Sequence, residues 1–282
     1  MALPAGKTVG LAISPDFDAH SAWMSWYGGG KLDPVAMSRG EFAARAGTPR
    51  LLELFDNLNI KTTWGIPGHT MLTWPELTRE VASNGHEICA HGVYHENLNG
   101  MHEPIERQLM TRQLEQYAEI IGGKPRGYRA PSGTMTYNTL PLIEEFGFDW
   151  VSSLKGDDLT PYKPREITRI SYDQGNAFGR EYPFANYPTS WFLEDWVAFE
   201  YVSGHAPGLS DTDTVLKRWK DTLDYARTRM PQAVMTIVLH PESIGRAHHM
   251  LMLESFLNYA VAQKEVWITT ISDIHDAWDF EN

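Results

Sequence analysis

The segment Glu87-Ile88-Cys89-Ala90-His91-Gly92-Val93-Tyr94-His95 is a short apolar run followed at once by two histidines. The apolar part predicts a buried strand, and Gly92 suits a chain that turns sharply where a strand ends. Two imidazoles four positions apart lie on one face of a helical turn, close enough to bind one ion. Because the chain has 11 histidines, a chance pair in a loop explains this spacing about equally well. Other residues must therefore decide whether the pair is a metal site.

Strands and helices alternate along most of the chain on both sides of this segment. Further buried strands are predicted at 8–14, 61–66, 127–129, 150–154, 233–239 and 266–270, and helices at 48–55, 103–121, 138–146, 212–229 and 248–263. This alternation implies an α/β fold with a parallel sheet wound with helices. At 282 residues a closed or nearly closed barrel is favoured, forming a single catalytic domain over 1–282.

Two segments have patterns that are harder to interpret. Residues 23–40, rich in Gly and Trp, are predicted to form a long surface loop, and residues 155–207 an irregular region. Between them, Thr48 is predicted to cap a helix that has Pro49 at its first position.

Polar side chains follow several of the predicted strands. In parallel barrels, catalytic groups gather at the C-terminal ends of the strands. Taken singly, each residue has a simpler explanation, such as a turn aspartate or a packing arginine. Together they favour a shared site, formed by Asp16, Asp18, His91, His95, Arg129 and His240.

The residue types at these positions suit metal-assisted hydrolysis. Two imidazoles and one carboxylate form a common open site for a catalytic divalent ion, and both Asp16 and Asp18 are candidates for the carboxylate. Two residues apart on an extended strand, both would point to the same side, so one can bind the ion while the other accepts a proton from water. His240 could protonate a leaving amine, and Arg129 could keep the base carboxylate ionised.

Composition excludes several classes of partner. The net charge of −12 makes nucleic acid or an anionic membrane an unsuitable partner. The single cysteine, Cys89, excludes an intrachain disulfide. The N-terminal residues show no signal peptide, and no stretch of about 18 apolar residues occurs, so a cytoplasmic protein is expected.

The order of these motifs resembles the polysaccharide deacetylase superfamily, carbohydrate esterase family four. The resemblance rests on Asp16-Phe17-Asp18, His91-Gly92-Val93-Tyr94-His95, Arg129-Ala130-Pro131-Ser132-Gly133 and Leu239-His240-Pro241-Glu242, and it covers about residues 8–275. It implies a distorted (β/α) barrel of about seven strands with one divalent metal ion, which is usually zinc in this family. Manganese, cobalt, nickel and iron also suit these ligands.

The resemblance also implies a role for each residue. Asp18, His91 and His95 would bind the metal, and Asp16 would be the base that Arg129 orients. His240 would be the acid. The backbone N–H of Ser132 would stabilise the oxyanion. One departure is that Phe17 separates two aspartates that are adjacent in the usual family motif.

The long loops resemble a subgroup containing the Helicobacter-type peptidoglycan deacetylase, cofactor-free allantoinases and cyclic imide hydrolases, which tend to be homotetramers. The function expected first is therefore hydrolysis of a non-peptide carbon–nitrogen bond in a small amide or cyclic imide or ureide. De-N-acetylation of an N-acetylglucosamine-containing saccharide or peptidoglycan is the close alternative. A catalytically inactive carbohydrate-binding module is the third, but it would need a missing catalytic group.

Overall fold

Two long strands, β1 (Val9–Pro15) and β9 (Ala233–Leu239), lie side by side and parallel at the centre of the computed structural model. The structure describes residues 3–27, 34–202 and 206–280, without the side chains of 25–27. Every residue of both strands is buried, which explains their continuous apolar sequences. The remaining strands are β2 (Thr63–Ile66), β3 (Glu87–Ala90), β4 (Gly127–Tyr128), β5 (Trp150–Val151), β6 (Arg165–Arg169), β7 (Ala177–Glu181), β8 (Ala185–Asn186) and β10 (Val266–Ile268).

The parallel strands form a distorted barrel from two sheets, one in the order β10, β1, β9 and the other in the order β2, β3, β4, β5, β8. β1 and β2 meet only at their C-terminal ends, where Asp16 pairs with Gly65. The gap between β8 and β9 is spanned by a single pairing of Glu194 with Val238. The predicted α/β barrel is confirmed, and it is distorted: three of its seams, including the one between β3 and β4, are closed by a single residue pair.

Helices pack around this sheet. They are α1 (His20–Tyr27), α2 (Pro34–Phe42), α3 (Thr48–Asn57), α4 (Gly68–Thr73), α5 (Pro75–Ser83), α6 (Glu103–Ile121), α7 (Thr139–Glu145), α8 (Asp195–Phe199), α9 (Thr212–Arg229), α10 (Pro241–Ile244), α11 (Ala247–Val261) and α12 (Ile271–Ala277). The amphipathic pattern predicted for 212–229 matches α9, whose Trp219 packs edge-on against Phe256 of α11 with ring centres 5.6 Å apart. Among the described residues, no helix is both long and apolar enough to cross a bilayer.

The predicted surface loop over 23–40 is wrong where the structure describes it, because α1 and α2 occupy most of this segment. Residues 28–33 lie outside the described residues. The predicted cap at Thr48 is also wrong, since α2 runs through a π-helical turn (Ala43–Gly47) directly into α3. Gly47 is needed for close packing, not for a turn: a Cβ there would lie 2.1 Å from the carbonyl oxygen of Pro241.

The region 155–207 contains more regular structure than predicted. β6 and β7 form an exposed antiparallel hairpin, and a 3₁₀ turn (Trp191–Leu193) precedes α8. Glu194, between that turn and α8, makes the pairing that spans the barrel gap. Part of this region therefore belongs to the barrel wall.

His86, just before β3, is a buried neutral histidine that makes stability depend on pH. Its Nδ1 accepts a hydrogen bond from the backbone N–H of Thr62 at 3.2 Å, and burial lowers the pKa of His86 to about 4. The folded pKa lies below the unfolded value of about 6.5. The contribution of the neutral His86 ring to the free energy of unfolding is therefore complete above about pH 6.5 and is lost as the pH falls towards 4. Allowing for partial solvent screening, we expect a loss of about 1–2 kcal/mol between about pH 7.5 and pH 5.

Urea unfolding of His86→Gln at these two pH values tests this expectation. The difference in free energy of unfolding between wild type and variant should be about 1–2 kcal/mol smaller at the lower pH, since the variant has no His86 contribution to lose. The exposed His102→Gln variant is the matched control and should follow wild type. A gap of constant size would contradict the predicted neutral histidine.

Candidate metal centre and active site

Asp18, His91 and His95 converge at the C-terminal end of the barrel. All three are buried, and one possible ligand atom from each lies within 4.8 Å of the others. Asp18 Oδ1 is 3.3 Å from His91 Nε2, and Asp18 Oδ2 is 3.4 Å from His95 Nε2. Asp18 Oδ1 has no hydrogen-bond partner in the described structure, a costly state for a buried carboxylate oxygen. Two imidazoles, one carboxylate and an unpartnered oxygen fit a divalent cation with an open coordination position.

An irregular turn, not a helical one, brings the two histidines together. The expectation of a helical turn is wrong because Gly92 and His95 have φ angles of 76° and 57°. The Glu96 carboxylate accepts hydrogen bonds from two backbone N–H groups between the histidines, at 3.0 and 2.9 Å. Glu96 thus stabilises a conformation that the His-x-x-x-His spacing alone does not indicate.

The two imidazoles are arranged to present their Nε2 atoms to the centre. His91 Nδ1 lies 3.0 Å from the carbonyl oxygen of Arg129, to which it can donate, so that Nε2 keeps its lone pair. Burial lowers the pKa of His95 to about 4, so its ring is neutral near pH 7. Neutral imidazoles are the form that binds metal ions.

Asp16 lies beside the centre and is bound to Arg129. Its Oδ1 accepts a hydrogen bond from Arg129 Nη1 at 2.8 Å, while its Oδ2 is 3.7 Å from His91 Nε2. Arg129 also donates to the carbonyl oxygen and the hydroxyl of Ser152, each at 3.1 Å. Asp18 therefore contacts both imidazoles, whereas Asp16 contacts one and forms a buried ion pair.

His240 approaches the centre from β9. Its Nε2 is 4.0 Å from Asp18 Oδ2, and its Nδ1 is 2.8 Å from Asp195 Oδ1. Asp195 Oδ2 also accepts the backbone N–H of His240 at 3.0 Å. Burial opposes protonation of the ring, but the Asp195 and Asp18 carboxylates outweigh it, and the pKa of His240 is raised well above its usual value.

Ser132 lies in a 3₁₀ turn (Pro131–Gly133) that contacts His95. Its φ of 56° is unusual for a residue with a side chain and aims its backbone N–H at His95 Nε2, 3.3 Å away. That nitrogen also faces Asp18, so the Ser132 N–H points into the space where the ligand atoms converge.

All seven predicted site residues line one cavity of about 200 Å³. They enter it from the ends of β1, β3, β4 and β9 and from the turns that follow, as parallel-barrel geometry requires. Its remaining wall includes Lys155, Thr189, Trp191, Glu194 and Trp196.

Comparisons with known proteins agree with this geometry. A family model described as polysaccharide deacetylase matches residues 38–151. The chain is 30% identical over 282 residues to a peptidoglycan deacetylase of Helicobacter pylori, covering 96% of each chain. The chain belongs to the polysaccharide deacetylase family.

Solved structures extend the comparison to the whole fold. A polysaccharide deacetylase candidate from Mycobacterium smegmatis has a TM-score of 0.83 and 30% identity, covering 98% of this chain and 92% of that chain. A structure of Puue allantoinase has a TM-score of 0.81 and 25% identity, with coverage of 98% and 91%. The same fold thus carries proteins named for different substrates.

Sequence reasoning missed two acidic residues of this polysaccharide deacetylase family member. Asp195 is fully buried behind His240, and Glu194 lines the cavity. Both lie in the region interpreted as irregular, where no periodicity indicated an element. The pairing of Glu194 with Val238 and the hydrogen bonds between Asp195 and His240 bring them to the site.

Glu242 lies in the first turn of α10, directly after Pro241. It is fully buried and neither carboxylate oxygen has a hydrogen-bond partner in the described structure. Burial, with the nearby Asp18 carboxylate, raises the pKa of Glu242 to about 8. Glu242 is absent from the cavity lining, so it does not contact a molecule bound there.

Asp195→Asn is expected to lower kcat by about 100-fold while metal content stays unchanged. The amide loses the negative charge that favours protonated His240, and its NH₂ group can disrupt the hydrogen bond to Nδ1. Steady-state kinetics and metal analysis of the purified variant provide the measurement. The exposed Asp173→Asn variant is the control, and an unchanged kcat in Asp195→Asn would contradict the role of Asp195.

Proposed function

We propose that this chain is a metal-dependent hydrolase of carbon–nitrogen amide bonds other than peptide bonds. The observation that carries the proposal is the convergence of Asp18, His91 and His95 around an unpartnered carboxylate oxygen. These three residues would hold one divalent ion, which we propose to be zinc. Such an ion polarises a substrate carbonyl and lowers the pKa of water to about 7.

Asp16 would act as the general base. Its carboxylate lies beside His91 and can accept a proton from the attacking water. The 2.8 Å hydrogen bond from Arg129 orients the carboxylate. Ser152 in turn positions Arg129 through two hydrogen bonds.

His240 and Ser132 would complete the reaction on either side of the scissile bond. Protonated His240 can transfer its Nε2 proton to the departing nitrogen, while Asp195 stabilises the charged ring through Nδ1. The Ser132 N–H can donate a hydrogen bond to the carbonyl oxygen as negative charge develops there. A binding module without catalytic activity would be expected to lack one of these groups, and this chain has all of them.

A small amide or a cyclic imide or ureide is the substrate that we propose first. The cavity of about 200 Å³ is smaller than the range of about 300–1,000 Å³ typical for drug-sized ligands. Trp191 and Trp196 line it and offer flat apolar surfaces suited to a small ring. The likeness to Puue allantoinase over 98% of the chain supports this choice.

De-N-acetylation of an N-acetylglucosamine-containing saccharide is the second candidate. It is supported by the 30% identity to the Helicobacter pylori peptidoglycan deacetylase across 96% of both chains. The same residues would perform the same steps, with acetate released from the sugar amine.

A cytoplasmic homotetramer remains the proposed location and assembly.

Initial rates on succinimide, allantoin and chitin oligomers, measured side by side with zinc-loaded protein, test these candidates. Hydrolysis of either small cyclic compound would support the first substrate class. Acetate release from oligomers as the only activity would overturn it in favour of the second. No turnover of any of the three, with zinc bound, would count against hydrolysis of these amides altogether.

A further inference from the structure

Lys155 is a cation at the cavity wall to which the proposed reaction gives no role. It follows β5 by four residues, at the same end of the barrel as the catalytic groups. Its Nζ lies 3.3 Å from the carbonyl oxygen of Ser153 and 3.4 Å from Thr189 Oγ1. These long contacts occupy at most two of its three N–H donors, so at least one stays available to a bound molecule.

The charge of Lys155 is not neutralised by an ion pair among residues 3–27, 34–202 and 206–280. The other cations of the cavity are paired, Arg129 with Asp16 and His240 with Asp195. Glu194 is close enough to attract Lys155, but the two do not form an ion pair; burial lowers the pKa of Lys155 and raises that of Glu194. Among the described residues the Lys155 ammonium therefore has hydrogen-bond and ring contacts but no ion-pair partner.

The whole cavity is suited to an anion once a divalent ion is bound. Three carboxylates line it, those of Asp16, Asp18 and Glu194, against the cations of Arg129 and Lys155. With two further positive charges from the metal, the positive charges outnumber the negative ones. This contrasts with the net charge of −12 for the whole chain. A positive cleft in an acidic protein selects for anionic ligands.

We propose that Lys155 is a specificity-determining residue that binds a carboxylate on the substrate while the scissile amide lies at the metal centre. The preferred substrate is then a small amide or imide that carries a carboxylate group. Trp191, whose ring centre is 5.4 Å from the Lys155 ammonium, would cover the apolar part between the two groups. This inference rests on the proposed function, which it narrows to one substrate class.

Calorimetry with succinate and butyrate tests the inference without requiring turnover. Both acids offer one carboxylate to the zinc-loaded centre, and only succinate offers a second to Lys155. Wild type is expected to bind succinate at least about 10-fold more tightly than butyrate. This is the gain in affinity expected from one additional hydrogen bond between charged groups. Lys155→Met should reduce this preference to about 2-fold or less, and Lys155→Arg should retain most of it. The exposed Lys163→Met variant is the matched control.

Equal binding of the two acids by wild type, or an undiminished preference for succinate in Lys155→Met, would overturn the inference. Turnover of succinamate and butanamide separates it from the proposed function. If neither amide is hydrolysed but the succinate preference depends on Lys155, the carboxylate site stands and the proposed reaction fails for these amides. If succinamate is hydrolysed and Lys155→Met leaves the ratio of kcat/KM for succinamate to kcat/KM for butanamide unchanged, the proposed reaction stands and the inference about Lys155 fails.

Discussion

Asp18→Ala is expected to abolish tight metal binding and to lower kcat/KM by at least about 10³-fold. The variant removes the carboxylate that contacts both imidazoles and leaves two neutral ligands, too few for a stable site. Loss of residues that merely orient ligands already costs about 10- to 100-fold, so loss of a ligand should cost more. Metal content after dialysis and turnover of the best substrate are the two measurements.

The exposed Asp173→Ala variant is the matched control, since it removes the same group away from the cavity. Circular dichroism of both variants separates loss of the site from loss of the fold. A folded Asp18→Ala protein that keeps its metal and its turnover would refute the proposed centre. A variant that keeps metal but loses turnover would mean that Asp18 and Asp16 have exchanged roles.

Asp16→Asn is expected to lower kcat by about 10²- to 10⁴-fold with metal retained, because an amide cannot accept the proton of water. The same variant should lose about 3–5 kcal/mol of stability, since it leaves the Arg129 guanidinium buried without a counter-charge. Kinetics, metal analysis and urea unfolding report these effects separately.

The double variant Asp16→Asn with Arg129→Met distinguishes the two roles of this pair. Removing the unpaired charge should restore part of the lost stability, so the two destabilisations should not add. Activity should stay low, because the base is still missing. Additive stability losses, or recovered activity, would contradict the assignment of Asp16 as a base held by Arg129.

Relatives of this chain are named for different substrates, a peptidoglycan and allantoin, although the fold is shared. The groups proposed for catalysis lie at strand ends, which tolerate little movement because the strands are buried and paired. The groups proposed to contact the rest of the substrate, such as Lys155 and Trp191, lie on the connecting segments. The two kinds of residue can therefore change independently, as is usual for function on loops.

Buried strands and the residues that follow them could be predicted from local pattern alone. An apolar run such as Ala233–Leu239 can only be stable inside a sheet, and chain direction then places His240 at its C-terminal end. The same reasoning placed Asp16, Asp18, His91 and Arg129 at one end of the barrel. It works because strand burial and strand direction are properties of contiguous sequence.

Only the tertiary structure decided which of these residues touch and what supports them. Asp18 contacts both imidazoles and Asp16 contacts Arg129, a difference that two aspartates on one strand face do not reveal. Asp195 reaches His240 through a pairing between segments far apart in the chain. The sequence by itself determined the barrel and the ends of its strands, because these follow from local apolar pattern. The contacts within the site depend on distances across the barrel, which no local pattern contains.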